Sequence, residues 1–126
     1  VAATLGAMLF FAVGVAPAVF QALPIEQAGQ FLRKLFPRYY LSLSVGSGVA
    51  GCLWISSAPL AAGTCLLIAV STLWIRQRLV PRINQLRDAE LAGDTAAGPR
   101  FATLHRVSVI INMIQLLALV ALLLKY

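Results

Sequence analysis

The chain has 126 residues, of which 60% are hydrophobic and only 11% charged, with a mean hydropathy of +0.88. Soluble domains carry about 25% charged residues, so composition excludes an ordinary water-soluble globule and points to a single integral membrane domain. Ten Lys and Arg against four Asp and Glu give a net charge of +6, but nine of the ten lie between apolar runs in two stretches, so the excess reads as membrane topology and not as a nucleic-acid surface.

In chain order, residues 2–23 form an uncharged apolar run long enough to cross a bilayer. Gly6, Phe10, Gly14 and Ala18 recur every four residues, which places the small Gly6, Gly14 and Ala18 on one face where a second helix can approach closely. Pro17 removes a backbone hydrogen bond and is expected to kink this helix near its end. A cleaved signal peptide at Ala16-Pro17-Ala18 is the lesser reading, because the run is too long and no basic segment precedes it.

Residues 25–36 change character. Ile25, Ala28, Phe31, Leu32, Leu35 and Phe36 recur near helical spacing with Arg33 and Lys34 between them, the pattern of a short amphipathic helix lying on the membrane surface. Pro37 is expected to end it, and Arg38-Tyr39-Tyr40 to mark the water–lipid boundary of a second span, residues 40–56. Ser44, Gly48 and Gly51 make that span suited to close backbone contact. Its glycines do not form a phosphate loop, since neither a strand nor a following GK[ST] accompanies them.

Ser56-Ser57-Ala58-Pro59 forms an uncharged turn into a third span, residues 60–75. Helical periodicity continues beyond it through Leu79, Ile83 and Leu86, with Pro81 expected to kink it. ELAGDTAAGP reads as a loop, and the fourth span covers residues 105–124. Between Arg106 and Lys125 stand 18 uncharged residues, or about 27 Å of helix. His105, Ser108, Asn112 and Gln115 follow at steps of three, four and three, a polar stripe that should face protein because amides are costly in lipid.

Four spans place Arg33, Lys34, Arg38, Arg76, Arg78, Arg82, Arg87, Arg100 and Arg106 on one side, leaving Lys125 alone on the other. The positive-inside rule then makes the basic side cytoplasmic, against anionic lipids of a bacterial inner membrane, with both termini periplasmic. Arg38 and Arg106, each at the boundary, are candidates to close the inner end of a polar cleft.

Chemistry-bearing groups are sparse. His105 is the only histidine, so one chain alone cannot supply two axial haem ligands, and a zinc site would lack ligands. A structural role for it is favoured over ligation or proton handling. Met8, Met113 and His105 are weak candidates for soft-metal ligation, with core packing the preferred role for both methionines. Cys52 and Cys65 read first as small hydrophobes, a disulfide between them being the lesser reading. No carboxylate lies in any expected span, which argues against proton-coupled transport and a carboxylate-metal oxidase.

VAPAVF in the first span, AGQFLRKLFPRYY leading into the second and LHRVSVIINMIQLL in the fourth resemble a bacterial family of unknown function related to transmembrane protein 205, similar in layout to the CopD-like four-helix membrane proteins. The resemblance implies a four-helix bundle and singles out Pro17, Pro37, Arg38, Tyr39, His105, Arg106 and Asn112. That wider group includes proteins associated with resistance to metal-containing drugs, copper resistance and a haem-dependent protoporphyrinogen oxidase. This chain departs from the last, having no histidine in its first span and no lysine inside its third.

The expected fold is therefore all-α: four transmembrane helices with an interfacial helix between the first and second. The expected function is non-enzymatic, an accessory or scaffold subunit of a larger membrane complex or a homo-oligomer, with no cofactor from this chain alone. The alternatives are export of a metal species or small solute along the His105–Gln115 stripe, and a haem-binding redox protein using His105 and a ligand from another chain.

Overall fold

The computed structural model describes residues 1–126 and contains only helices. Four continuous helical rods account for nearly the whole chain: α1 (Ala2–Ala22), α2 (Ile25–Trp54), α3 (Pro59–Leu91) and α4 (Ala97–Lys125). Of these, α1, α3 and α4 are long and apolar enough to cross a membrane. The second is long enough, at 30 residues, but Ser42, Ser44, Gly46, Ser47 and Gly48 dilute its hydropathy.

The expected break at Pro37 does not occur. Residues 25–36 and 40–56, read as an interfacial helix and a separate span, form one rod with Pro37 inside it, ending at Trp54. A proline in a helix interior costs one ladder bond and crowds the carbonyl four residues back. Here Arg76 supplies a hydrogen bond to the Pro37 carbonyl from outside the helix, and Phe36, Tyr39 and Tyr40 flank the proline as one aromatic cluster with Phe11, so packing outweighs the local penalty.

Pro17 and Pro81 behave differently. A π-helical turn covers Phe10–Val15 in α1 and Ile75–Leu79 in α3, and each ends two residues before its proline. Widening the turn ahead of a proline relieves the clash between its ring and the preceding carbonyls, so both helices run on. The third helix accordingly extends well past residue 75, as its periodicity suggested. It stops at Gly93, whose φ of 104° favours glycine. The loop expected over 90–99 is shorter, and α4 begins at Ala97, eight residues before the fourth span was expected.

The helices pack in antiparallel pairs. Between α2 and α3 the close approaches are Pro37 to Arg76, Ser44 to Ala69 and Gly51 to Ala62, spaced seven residues apart along both rods. A seven-residue repeat is that of left-handed knobs-into-holes packing. Thr4 lies against Gly46 and Phe11 stacks on Tyr39 with ring centroids 4.4 Å apart, holding α1 to α2. The main core comprises Leu5, Met8, Tyr39, Tyr40, Leu43, Ile68, Ile75, Leu79, Val80 and Leu119. A smaller cluster of Ala58, Ala61, Cys65 and Leu122 closes the opposite end. Outward faces carry Phe10, Val13, Phe20, Leu67, Val70, Ile114 and Leu117, side chains that suit lipid tails and not water.

Candidate functional site

A layer of polar side chains crosses the interior where α2, α3 and α4 meet. Gln115 Nε2 donates to Ser71 Oγ at 2.8 Å and to Thr72 Oγ1 at 3.1 Å, joining α4 to α3. One turn away, the Asn112 side chain faces the Tyr39 hydroxyl, yet the pair falls short of hydrogen-bond geometry, so Tyr39 Oη and Asn112 Oδ1 both stand unpaired. Gln115 Oε1 and Ser47 Oγ are buried without a partner too. Unpaired polar atoms inside a membrane bundle are costly, and each can accept a hydrogen bond from a small guest such as water.

The stripe expected on α4 is thus partly interior. Ser108 and Gln115 are buried and Asn112 half-buried, while His105 is exposed and lies parallel to Phe101, ring centroids 5.9 Å apart. His105 turns outward while its neighbour Leu104 packs against the core, although α3 runs beside this stretch of α4 as far as Glu90 against Gly98. Ser108 Oγ donates to the carbonyl of His105, 2.7 Å away, in its own helix. Asn112 and Gln115 are therefore the two stripe residues that meet groups on other helices.

Arg38 and Arg106 are both exposed, whereas Arg76 is half-buried and its Nε donates to the Pro37 carbonyl at 2.9 Å. Ser71 and Thr72 escape the sequence reading, which takes Arg76 only as one of the basic residues at the membrane boundary. Ser71-Thr72 was the available signal, a polar pair in an otherwise apolar run. Met8 is fully buried whereas Met113 is exposed, so they do not share an environment. Cys52 is exposed, Cys65 buried, and both are free thiols. No group of three or more His, Cys, Asp or Glu side chains stands together.

The packing residues divide sharply. Ser44 Oγ donates to the Ala69 carbonyl at 2.9 Å, a Cβ on Gly48 would sit 3.8 Å from Ala69, and one on Gly51 would collide with Leu66 at 2.8 Å. These are internal contacts of α2 with α3. In α1, a Cβ on Gly6 would meet nothing within 4 Å, Ala18 is exposed, and Gly14 contacts only Phe10 of its own helix. Gly46, which no periodicity marked, is the glycine that lets α1 approach α2.

Apolar outer faces and three rods of membrane-crossing length define a helical membrane protein. The chain belongs to the family described as domain of unknown function (DUF4149), whose model matches residues 1–91, that is α1 to α3. No curated protein and no solved structure matches the chain.

Proposed function

We propose that this protein works by helix packing within the membrane, as an accessory or scaffold subunit of a larger inner-membrane complex or as a homo-oligomer. All four rods cross the bilayer in this reading, with the basic ends cytoplasmic and both termini periplasmic. The observation that supports it is the outer face of α1: Gly6 and Ala18 are small, exposed and unused by the chain's own packing. Small residues lower the barrier to close helix approach in lipid, where van der Waals contact drives association. The related-family resemblance to transmembrane protein 205 and the CopD-like proteins is compatible with this layout.

The test is the particle size of protein gently extracted from its own membranes. Gly6→Leu and Ala18→Leu should reduce a large particle to a single chain without loss of helicity, since both positions face open space. A particle of unchanged size in both variants overturns the proposal.

A second reading, passage of a small solute along the polar layer, is favoured by the unpaired Tyr39, Asn112 and Gln115 atoms. Asn112→Leu should then abolish uptake or resistance in cells while particle size stays the same. Unaltered uptake in that variant removes this reading.

A further inference from the structure

Two guanidinium groups without an acidic partner line one cleft at the basic end of the bundle. The cleft, of about 380 Å³, lies between the later turns of α3 and the first turns of α4, and is lined by Arg82, Leu86, Pro99, Arg100, Thr103 and Leu104. Leu86 is buried and Leu104 half-buried, forming an apolar floor, while Arg82 and Arg100 are exposed. The acids of the chain are engaged elsewhere or distant. Asp88 pairs with Arg33 at 2.9 Å, Glu90 with Arg87 at 3.1 Å, and Asp94 accepts the Ala96 amide at 3.0 Å. Glu26 sits in the first turn of α2. No carboxylate lines the cleft.

Its depth follows from the helix register. At the far end of the bundle Tyr126 packs on Trp54, and Arg106 lies 20 residues before Tyr126 in α4. That is about 30 Å of helix, one hydrocarbon thickness. Since Gln115 meets Thr72 and Glu90 lies against Gly98, Arg82 of α3 stands level with the Arg106 region of α4. Arg100 is one to two turns beyond it. On the membrane placement proposed above, on which this inference rests, the cleft opens where lipid head groups begin.

We propose that this cleft holds the head group of an anionic phospholipid from the leaflet on the basic side. Arg82 and Arg100 take the phosphodiester oxygens from two helices, and Leu86 and Leu104 carry the glycerol and the first acyl carbons. Guanidinium forks match phosphate oxygens in shape as well as charge, and basic pockets between membrane helices are suited to anionic head groups. A free phosphate would leave the leucine floor unused, which favours the lipid as the source of the anion.

The test is native mass spectrometry of the full chain in mild detergent, with phosphatidylglycerol and phosphatidylcholine added in equal amounts. One phosphatidylglycerol should be retained in preference. Arg82→Gln or Arg100→Gln should each weaken retention about fivefold and the double variant roughly 30-fold. Arg78→Gln, an exposed cation of the same end outside the cleft, should change it less than about twofold. Equal retention of both lipids by the wild type overturns the proposal. So does a loss in Arg78→Gln as large as in the double variant, which would mean diffuse attraction to the whole basic end. Displacement of the lipid by millimolar inorganic phosphate would overturn the lipid as occupant and leave a soluble anion. Neither arginine side chain makes a hydrogen bond within the chain, so folding should persist, checked by unchanged helicity.

Discussion

Arg76 Nε of α3 donates a 2.9 Å hydrogen bond to the carbonyl of Pro37 in α2, fastening the rods where an imino acid interrupts the α2 ladder. The contact ties Pro37 to α3 without replacing the lost bond, since the acceptor left by the missing N–H is the Arg33 carbonyl, and it acts beside the aromatic packing around the proline. Arg76→Gln should destabilise the protein by about 1.5–3 kcal/mol, the usual worth of a hydrogen bond from a charged donor. Thermal melting in detergent would measure this, and an unchanged midpoint would show that aromatic packing around Pro37 suffices.

Gln115 is the other fastening, and a double-mutant cycle isolates it. Gln115→Leu and Thr72→Val should show a coupling of about 0.6–1.7 kcal/mol, the range of interhelical hydrogen bonds in membranes. Coupling near zero would mean that the wild-type Gln115 amide is satisfied elsewhere.

Glycine substitutions should separate by location. At Gly51 an added Cβ meets Leu66 at 2.8 Å and the Ala62 carbonyl at 3.2 Å, so Gly51→Ala should cost about 1–3 kcal/mol through overpacking. Gly63 has nothing within 4 Å, and Gly63→Ala should be neutral or stabilising by up to about 1 kcal/mol from helix propensity. Steric-trap or melting measurements on both variants would check the contrast.

The π turns should depend on their prolines. Pro17→Ala and Pro81→Ala restore an N–H and remove the ring clash, so each wide turn should tighten to regular α geometry. Hydrogen exchange would report it as new protection at residues 17 and 81. Persistent π geometry in either variant would assign it to tertiary packing.

The Arg33–Asp88 ion pair joins α2 to α3 at 2.9 Å, but both side chains are substantially exposed. Asp88→Asn should therefore change stability by less than about 1 kcal/mol, with the difference vanishing in high salt. A larger loss would indicate that the basic ends of the rods are less hydrated than their exposure implies.

Length, charge placement and hydropathy are sums over neighbours in the chain, so the sequence alone determined an all-helical membrane protein with a basic end; of the four spans it predicts, α1, α3 and α4 are long and apolar enough to cross a membrane, and the span expected over 40–56 is part of the longer α2. It also marks His105, Ser108, Asn112 and Gln115 as one inward stripe, of which Ser108 and Gln115 are buried and Asn112 half-buried while His105 is exposed. Facing and continuity were decided only by tertiary structure. Gly6, Gly14 and Ala18 are marked by spacing as are Ser44, Gly48 and Gly51, yet the latter pack on α3, whereas Gly6 and Ala18 are exposed and Gly14 meets only Phe10 of its own helix. Pro37 has the local signature of a helix end, as Pro17 and Pro81 have that of a kink, but a guanidinium from a distant segment and a stack of aromatic rings keep α2 whole. The partner of each residue comes from far along the chain, and a local pattern states which residues want burial without stating which neighbour provides it.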